Sequence, residues 1–344
     1  MRIIFEDRPI QLLELFGGIG APRKALIKLG VDHKSIDYVE IMPNRVKAYN
    51  ALYDHLHRPQ DIRGWNLRPD YLVHGSPCQD NTIINLKRLG AAKGSRSQLM
   101  LETIRIIDEM GDWKPKVVIW ENVKGVLDKS IMPIFNEYME AMNKLGYTNS
   151  YEVIDARDFG IPHARERVFC VSLLGSKKFN FAKMKKKVMQ HISKFLEYGP
   201  DDEIPEQYKI KIPSMLNKIA EFNPVKKSDT YKRRLDVIDS FCYTITERQD
   251  RCPNAGVIRN NDGTYRYLTE RECWRLLGFD DTDFDRMLEQ FPTQPGKRNA
   301  TLYALAGNSI VVDVLEAIFE VLLTDDTGED DYWTEHDGQM KLIV

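Results

Sequence analysis

The first 175 residues alternate between short apolar runs and helical stretches, and this alternation limits the possible folds more than any other feature. Apolar runs recur at 11–16, 38–41, 71–74, 117–120 and 168–173, each bounded by Gly, Pro, Asn or Asp. Short continuous runs of this kind are what strands buried on both faces of a parallel sheet look like. Helical spacing fills 22–29, 45–53, 97–110 and 132–145 between them. The pattern predicts an α/β fold with a doubly wound, Rossmann-like sheet that binds ligands at the carboxyl ends of its strands.

Beyond 175 the pattern changes. Residues 177–187 hold six lysines, 200–213 reads as loop, and short pieces containing Thr and Asn run to Gly263. Helical spacing returns at 268–278, and 308–323 reads as an amphipathic helix that packs back on the sheet. The expected organisation is a first catalytic part at 1–174 and a smaller irregular domain at 175–265. A return segment at 266–323 completes the catalytic domain, and an acidic tail follows at 324–344.

A chain of 344 residues can bury a sizeable core. The most apolar stretch, 310–323, is interrupted by Asp313, Glu316 and Glu320, which argues against a membrane span. The first ten residues carry acids where a signal peptide needs an apolar core, so a cytoplasmic protein is expected. The cysteines at 78, 170, 242, 252 and 273 are odd in number and lack CxxC spacing, which excludes a disulfide framework or zinc knuckle as the leading reading. Net charge is only −2, but residues 172–260 carry 18 Lys+Arg against 11 Asp+Glu, a net of +7. A basic middle on a near-neutral chain suits a polyanion-binding surface.

Phe16-Gly17-Gly18-Ile19-Gly20 ends the first strand and opens a helix. Glycines there permit a tight turn and close approach to a ligand. The third glycine of a diphosphate fingerprint is absent, since Arg23 stands in its place. Glu40 ends the second strand, where a carboxylate can accept from ribose hydroxyls, and Asp61 is placed to face an adenine amino group. An adenosine ligand without a required diphosphate fits S-adenosylmethionine better than a nicotinamide dinucleotide.

Gly75-Ser76-Pro77-Cys78-Gln79 follows the third strand, so Cys78 sits on a loop at the ligand edge of the sheet, where a nucleophilic thiol has the exposure it needs. The next strand ends Glu121-Asn122-Val123, and adjacent parallel strands present these ends side by side. Arg165 and Arg167 lead into a further strand, with forked donors suited to a carbonyl oxygen or a phosphate.

In this order the pieces resemble the DNA (cytosine-5)-methyltransferase family of bacterial and phage type. The cofactor loop is similar to Phe16–Gly20, the nucleophile motif to Pro77-Cys78-Gln79, and the Glu-Asn-Val motif to Glu121-Asn122-Val123. The Gln-x-Arg-x-Arg motif is matched by His163-Ala164-Arg165-Glu166-Arg167. The ninth and tenth motifs resemble 266–279 and Gly307-Asn308-Ser309-Ile310-Val311, so the likeness spans about 10–323. Three positions depart from the pattern. Asp80-Asn81-Thr82 follows Gln79 where x-Phe-Ser is usual, His163 replaces Gln, and Ala21 follows Gly20 where a second Gly is common.

The resemblance implies a DNA (cytosine-5)-methyltransferase. It flips a cytosine out of duplex DNA, attacks C6 with Cys78 and moves methyl from S-adenosylmethionine to C5 without a metal. Glu121 would bind N3 and the exocyclic amine, and Arg167 and Arg165 the O2 and a neighbouring phosphate. Pro77, Gln79, Asn122 and Val123 would line the base pocket. Phe16, Gly18, Gly20, Glu40, Asp61, Ile62, Asn308 and Ser309 would hold the cofactor, and Asn308-Ser309 also reads as an N-cap for the helix after it. The basic region, with 243–251 (YTITERQDR) inside it, would face the DNA. The implied setting is a monomer in a bacterial or phage-infected cell, with a restriction endonuclease as functional partner. Methylation of RNA, or a silent DNA-binding homologue, are the alternatives.

Overall fold

A computed structural model describes residues 8–62, 69–75, 98–220, 235–324, 333–336 and 339–342. Six strands form the central sheet: β1 (Ile10–Leu15), β2 (His33–Val39), β3 (Tyr71–His74), β4 (Val117–Val123), β5 (Tyr147–Asp155) and β6 (Glu166–Leu174). Their order is β2-β1-β3-β4-β6-β5. The helices α1 (Ala21–Lys28), α2 (Pro43–Tyr53), α3 (Gln98–Glu109) and α4 (Met132–Lys144) alternate with the strands.

The pairs β1·β2, β1·β3 and β3·β4 are parallel, as the alternating pattern predicts. β6 differs: it runs antiparallel to both β4 and β5. The apolar run at 168–173 reports burial on two faces but carries no information on direction. β5, absent from the sequence reading, is an edge strand whose Thr148, Asn149, Ser150 and Glu152 break the apolar signal. Because β5 and β6 are antiparallel, the short link 156–165 joins them with no crossover helix.

Side chains alternate across the sheet, so two cores form. Ile10, Leu12, Tyr71, Val73, Val117 and Ile119 face one; Leu13, Leu15, Leu72, Val118 and Trp120 face the other, under α3 and α4. Glu14 lies within this pattern as a fully buried acid on the Leu12 side.

Residues 175–266 hold single-turn helices, the one-turn α5 (Pro213–Leu216) and two-residue strands: β7 (Ile219–Ala220), β8 (Leu235–Asp236), β9 (Ile258–Arg259) and β10 (Tyr265–Arg266). Four helices follow: α6 (Glu270–Arg275), α7 (Asp281–Gln290), α8 (Ala300–Gly307) and α9 (Val312–Thr324). Thr269 and Glu272 form a capping box at the start of α6. Glu272 also holds Arg266 in an ion pair with both side chains fully buried, and Arg266 Nη2 donates to Tyr198 O at 2.7 Å. This ties the irregular region to the return helices.

The helix expected at 308–323 starts four residues later, at Val312. Asn308 caps the carboxyl end of α8, and α9 begins only at Val312, so Asn308 is not an N-cap. α9 packs back on the sheet as expected, with Phe319 stacked on Tyr71, and also on α1, with Lys28 paired to Glu316, while Lys24 reaches Asp280 and Asp283, each at 2.6 Å. In the acidic tail β11 (Trp333–His336) pairs antiparallel with β12 (Gln339–Leu342); the rest of 325–344 lies outside the described residues.

Candidate active site and cofactor loop

The loop after β1 is held in a conformation that few sequences tolerate. Phe16, Gly18 and Gly20 have φ of +55°, +55° and +74°. Gly18 and Gly20 adopt this without strain; Phe16 does so against its preference. A Cβ on Gly17 would lie 2.5 Å from the Tyr38 ring, and one on Gly20 2.6 Å from the Tyr53 ring. Among the described residues a Cβ on Gly18 would meet nothing within 4 Å, so this glycine opens onto free space among them at the carboxyl edge of the sheet.

Glu40 follows β2 and is buried beside this loop. Its Oε1 accepts from Met42 N at 2.9 Å; its Oε2 accepts from Gly18 N at 3.3 Å and from Arg45 Nη1 at 3.2 Å. A carboxylate offers about four acceptor positions. One ribose hydroxyl can therefore bind with Arg45 in place, and a second once Arg45 swings aside. Ile62 is buried in the core against which Phe16 packs, and Asp61 is exposed next to it. An open glycine flanked by an aromatic ring and a carboxylate fits an adenosine ligand.

At the centre of the sheet, Glu121 on β4 and Arg167 on β6 form an ion pair, Nε to Oε1 at 3.2 Å. Glu121 pairs with Phe169 in the ladder, so Arg167 is its diagonal neighbour on the same face. Gly75, just past β3, comes up against this acid: a Cβ there would be 3.5 Å from Glu121 Oε2. Pro77, Cys78 and Gln79 lie outside the described residues, as do Asp80-Asn81-Thr82. Asn122 is buried with its Oδ1 accepting its neighbour's Val123 N at 2.8 Å, while Val123 is half-buried.

Arg165 has a different setting from Arg167. It is buried, and its guanidinium donates to Ile245 O at 3.0 Å, Gly307 O at 3.1 Å and Ser309 O at 2.8 Å. Two segments far from it and from each other in sequence, at 245 and 307–309, meet on this one side chain. A built Cβ at Gly307 would lie 2.3 Å from the Thr246 backbone, so only glycine allows the packing. Ser309 is accordingly buried beside Arg165, with its Oγ donating to Ile310 O, and Asn308 is exposed with its amide on Ala304 O.

His163 packs in the same place. Its Nδ1 faces Leu276 O at 3.2 Å and its Nε2 accepts from Ile245 N at 3.0 Å. Burial pushes its pKa well below the usual histidine value, so the ring is neutral. Neutral imidazole then offers one donor and one acceptor, the same pair that the amide of the usual Gln offers. His163 therefore supplies both kinds of partner that a glutamine amide could supply at this position.

Sequence reasoning missed the groups beneath the cofactor loop. Glu14 accepts from Tyr49 Oη at 2.6 Å, and burial pushes its carboxyl up to about 7. Tyr49 stacks on Tyr38 with centroids 3.8 Å apart, and meets Tyr53 edge-on at 4.7 Å. An acid inside an apolar strand and tyrosines at i, i+4 on α2 were the available signals.

The C-5 cytosine-specific DNA methylase family model matches residues 10–324. The chain belongs to this family. This methyltransferase is 28% identical over 380 residues to the type II methyltransferase M2.ScrFI of Lactococcus lactis subsp. cremoris, covering 91% of this chain and 99% of the relative. It is 28% identical over 400 residues to the orphan methyltransferase M.SssI of Spiroplasma monobiae, covering 92% and 97%. In fold it resembles the Dnmt2 methyltransferase of S. pombe, with a TM-score of 0.70 at 21% identity over 92% of this chain and 98% of the other. The methyltransferase EhMeth of Entamoeba histolytica gives 0.72 at 19% identity over 94% and 100%. The enzyme class is DNA (cytosine-5)-methyltransferase, and S-adenosylmethionine is the cofactor its family implies. No helix among the described residues is long and apolar enough to cross a membrane.

Proposed function

We infer that this methyltransferase takes a cytosine flipped from duplex DNA into the space between Gly75, Glu121 and Arg167, and that Cys78 attacks its C6. The observation that carries this reading is the Glu121–Arg167 pair, lying against Gly75, three residues before Cys78. Attack at C6 makes C5 enamine-like and moves negative charge toward N3 and O2. Glu121 holds N3 and the exocyclic amine and supplies the stabilising proton at N3. Arg167 stabilises the charge at O2 and, with Glu121 paired to it, stays in one orientation. Loss of the C5 proton and expulsion of the Cys78 thiolate end the cycle.

Phe16, Gly18, Gly20, Glu40, Asp61 and Ile62 hold S-adenosylmethionine, with Glu40 on the ribose and Phe16 on the adenine. When bound, the cofactor supplies an electrophilic methyl group. Ser309 and Asn308 shape this side of the site from the return segment. Arg165 supports the site from behind, through Ile245, Gly307 and Ser309, and does not itself bind the base.

Residues 175–265 act as the target-recognition part, working on the DNA backbone through lysines and arginines. A cleft of about 400 Å³ supports this: Lys209, Lys211 and Arg251 line it, joined by Lys297 and Arg298 of the return segment, against Glu206 and Asp250. Arg298 lies 3.9 Å over the Tyr267 ring, which presents its guanidinium in a fixed plane. The enzyme works as a monomer, with a restriction endonuclease as functional partner.

The test is transfer of labelled methyl to mixed-sequence duplex DNA and to tRNA, with base analysis of each product. Label in 5-methylcytosine of the DNA alone is expected. Label in RNA alone, or in neither, would overturn the reading.

A further inference from the structure

We propose that Tyr38 and Tyr53 are positioning residues for the cofactor, acting as a hydroxyl brace that fixes the peptide planes of the 17–20 loop. This rests on the reading of that loop as the cofactor site. Tyr38 Oη donates to Gly18 O at 2.6 Å, and Tyr53 Oη to Gly20 O at 2.7 Å and Ile19 O at 3.2 Å. Each of these carbonyls is thereby turned into the protein. A trans peptide sets its C=O and the following N–H in opposite directions. Gly18 O directed at Tyr38 therefore turns the Ile19 N–H away from that hydroxyl.

The loop needs such a brace. Gly18 and Gly20 sit in the left-handed region, and free glycines sample many other conformations there. Without the two hydroxyls the ligand would have to order the loop itself, which lowers affinity; with them the loop is ready beforehand. The rings fix the brace in turn. Tyr38 stacks on Tyr49, Tyr49 meets Tyr53, and Arg23 lies 4.8 Å over the Tyr53 ring. Arg23, standing where a dinucleotide loop has its third glycine, thus serves the same loop from below. Tyr49 belongs to the ring stack, but its hydroxyl bonds the side chains of Glu14, Ser35 and Arg23 and no backbone group of the loop.

That difference supplies the control. The full chain and its variants Tyr38→Phe, Tyr53→Phe, Tyr49→Phe and the double Tyr38→Phe/Tyr53→Phe are compared by titration calorimetry with S-adenosylhomocysteine, by thermal melting and by steady-state kinetics. Removing one neutral hydrogen bond is expected to raise Kd by about fivefold in each single brace variant, and by about 25-fold in the double. KM for S-adenosylmethionine rises in step, while kcat at saturating cofactor and KM for DNA stay within about twofold. Tyr49→Phe lowers the melting temperature and leaves the cofactor Kd unchanged.

Folded brace variants that bind the cofactor as the wild type does would overturn the proposal. So would an equal loss of affinity in Tyr49→Phe, because the effect would then be general packing. If the double variant does not fold, the two single variants decide. A wild-type chain that binds neither S-adenosylhomocysteine nor S-adenosylmethionine would remove the cofactor reading itself, a failure distinct from an indifferent hydroxyl pair.

Discussion

Arg167 Nε lies 3.2 Å from Glu121 Oε1 in an ion pair across the β4–β6 ladder, with the two side chains 16% and 13% exposed. The pair lies against Gly75 yet is largely shielded from bulk water. Each side chain limits the other's rotation, and β4 and β6 are central strands that hold both. Arg165, two residues away, points into the protein and joins main-chain carbonyls. Alternation along the start of β6 does not explain this, because 165 and 167 have the same parity. The break comes at Glu166, where the strand begins and Arg165 still belongs to the incoming link.

The two arginines should therefore separate in experiment. Arg167→Ala is expected to lose about 100- to 1000-fold in kcat/KM, the usual cost of removing one donor at a developing charge, with little change in melting temperature. Arg165→Ala is expected to lose about 3 kcal/mol of stability by leaving buried carbonyls unpaired. Urea unfolding beside initial rates checks both. The opposite pattern would mean the roles are exchanged.

Glu14 predicts a pH dependence of stability. Its carboxyl is pushed up to about 7 by burial, from an ordinary value of 4.5. Between those two values the folded chain holds more protons than the unfolded one. Stability from this group is therefore fully present below pH 4.5 and is lost as pH rises to about 7. At pH 8 the buried charge costs up to about 3 kcal/mol. Glu14→Gln should gain stability relative to the wild type between pH 5 and pH 8, read as the change in the difference between their urea midpoints. A difference that is flat with pH, or that runs the other way, would contradict a buried carboxyl titrating there.

The glycines of the cofactor loop are expected to differ from one another. Gly18→Ala places its methyl in open space, so only the left-handed backbone costs stability, about 1–2 kcal/mol. It should still fold, and should weaken S-adenosylhomocysteine binding because the methyl occupies ligand space. Gly20→Ala adds a clash with the Tyr53 and Tyr49 rings and should cost about 3 kcal/mol or more. Melting curves and calorimetry on the two variants give the comparison. Tighter cofactor binding by Gly18→Ala would mean the ligand lies elsewhere.

What could be read from the sequence follows from which signals the fold leaves in it. Strands β1, β3 and β4 leave continuous apolar runs because both of their faces are buried, the edge strand β2 shows only its apolar end at Tyr38 and Val39, and the glycine loop leaves its own punctuation. β5 left no such run, because an edge strand needs only partial burial, and the direction of β6 is set by the short link before it. Asn308 was misread because the end of one helix and the start of the next lie only a few residues apart. The Arg165 role depends on Ile245 and Gly307, contacts 80 and 142 residues away that no local pattern encodes. The tyrosine brace was hidden for the same reason: Tyr38 and Tyr53 read as ordinary strand and helix aromatics until the loop carbonyls are seen above them.

The central claim is that Cys78, three residues after the Gly75 that lies against Glu121, is the nucleophile. The most direct measurement is transfer of labelled methyl to duplex DNA by the wild type and by Cys78→Ser, side by side, with melting curves and S-adenosylhomocysteine binding recorded on both. The account predicts 5-methylcytosine with the wild type and none with the variant, while fold, cofactor affinity and DNA affinity stay within about twofold. Turnover retained by Cys78→Ser would contradict it.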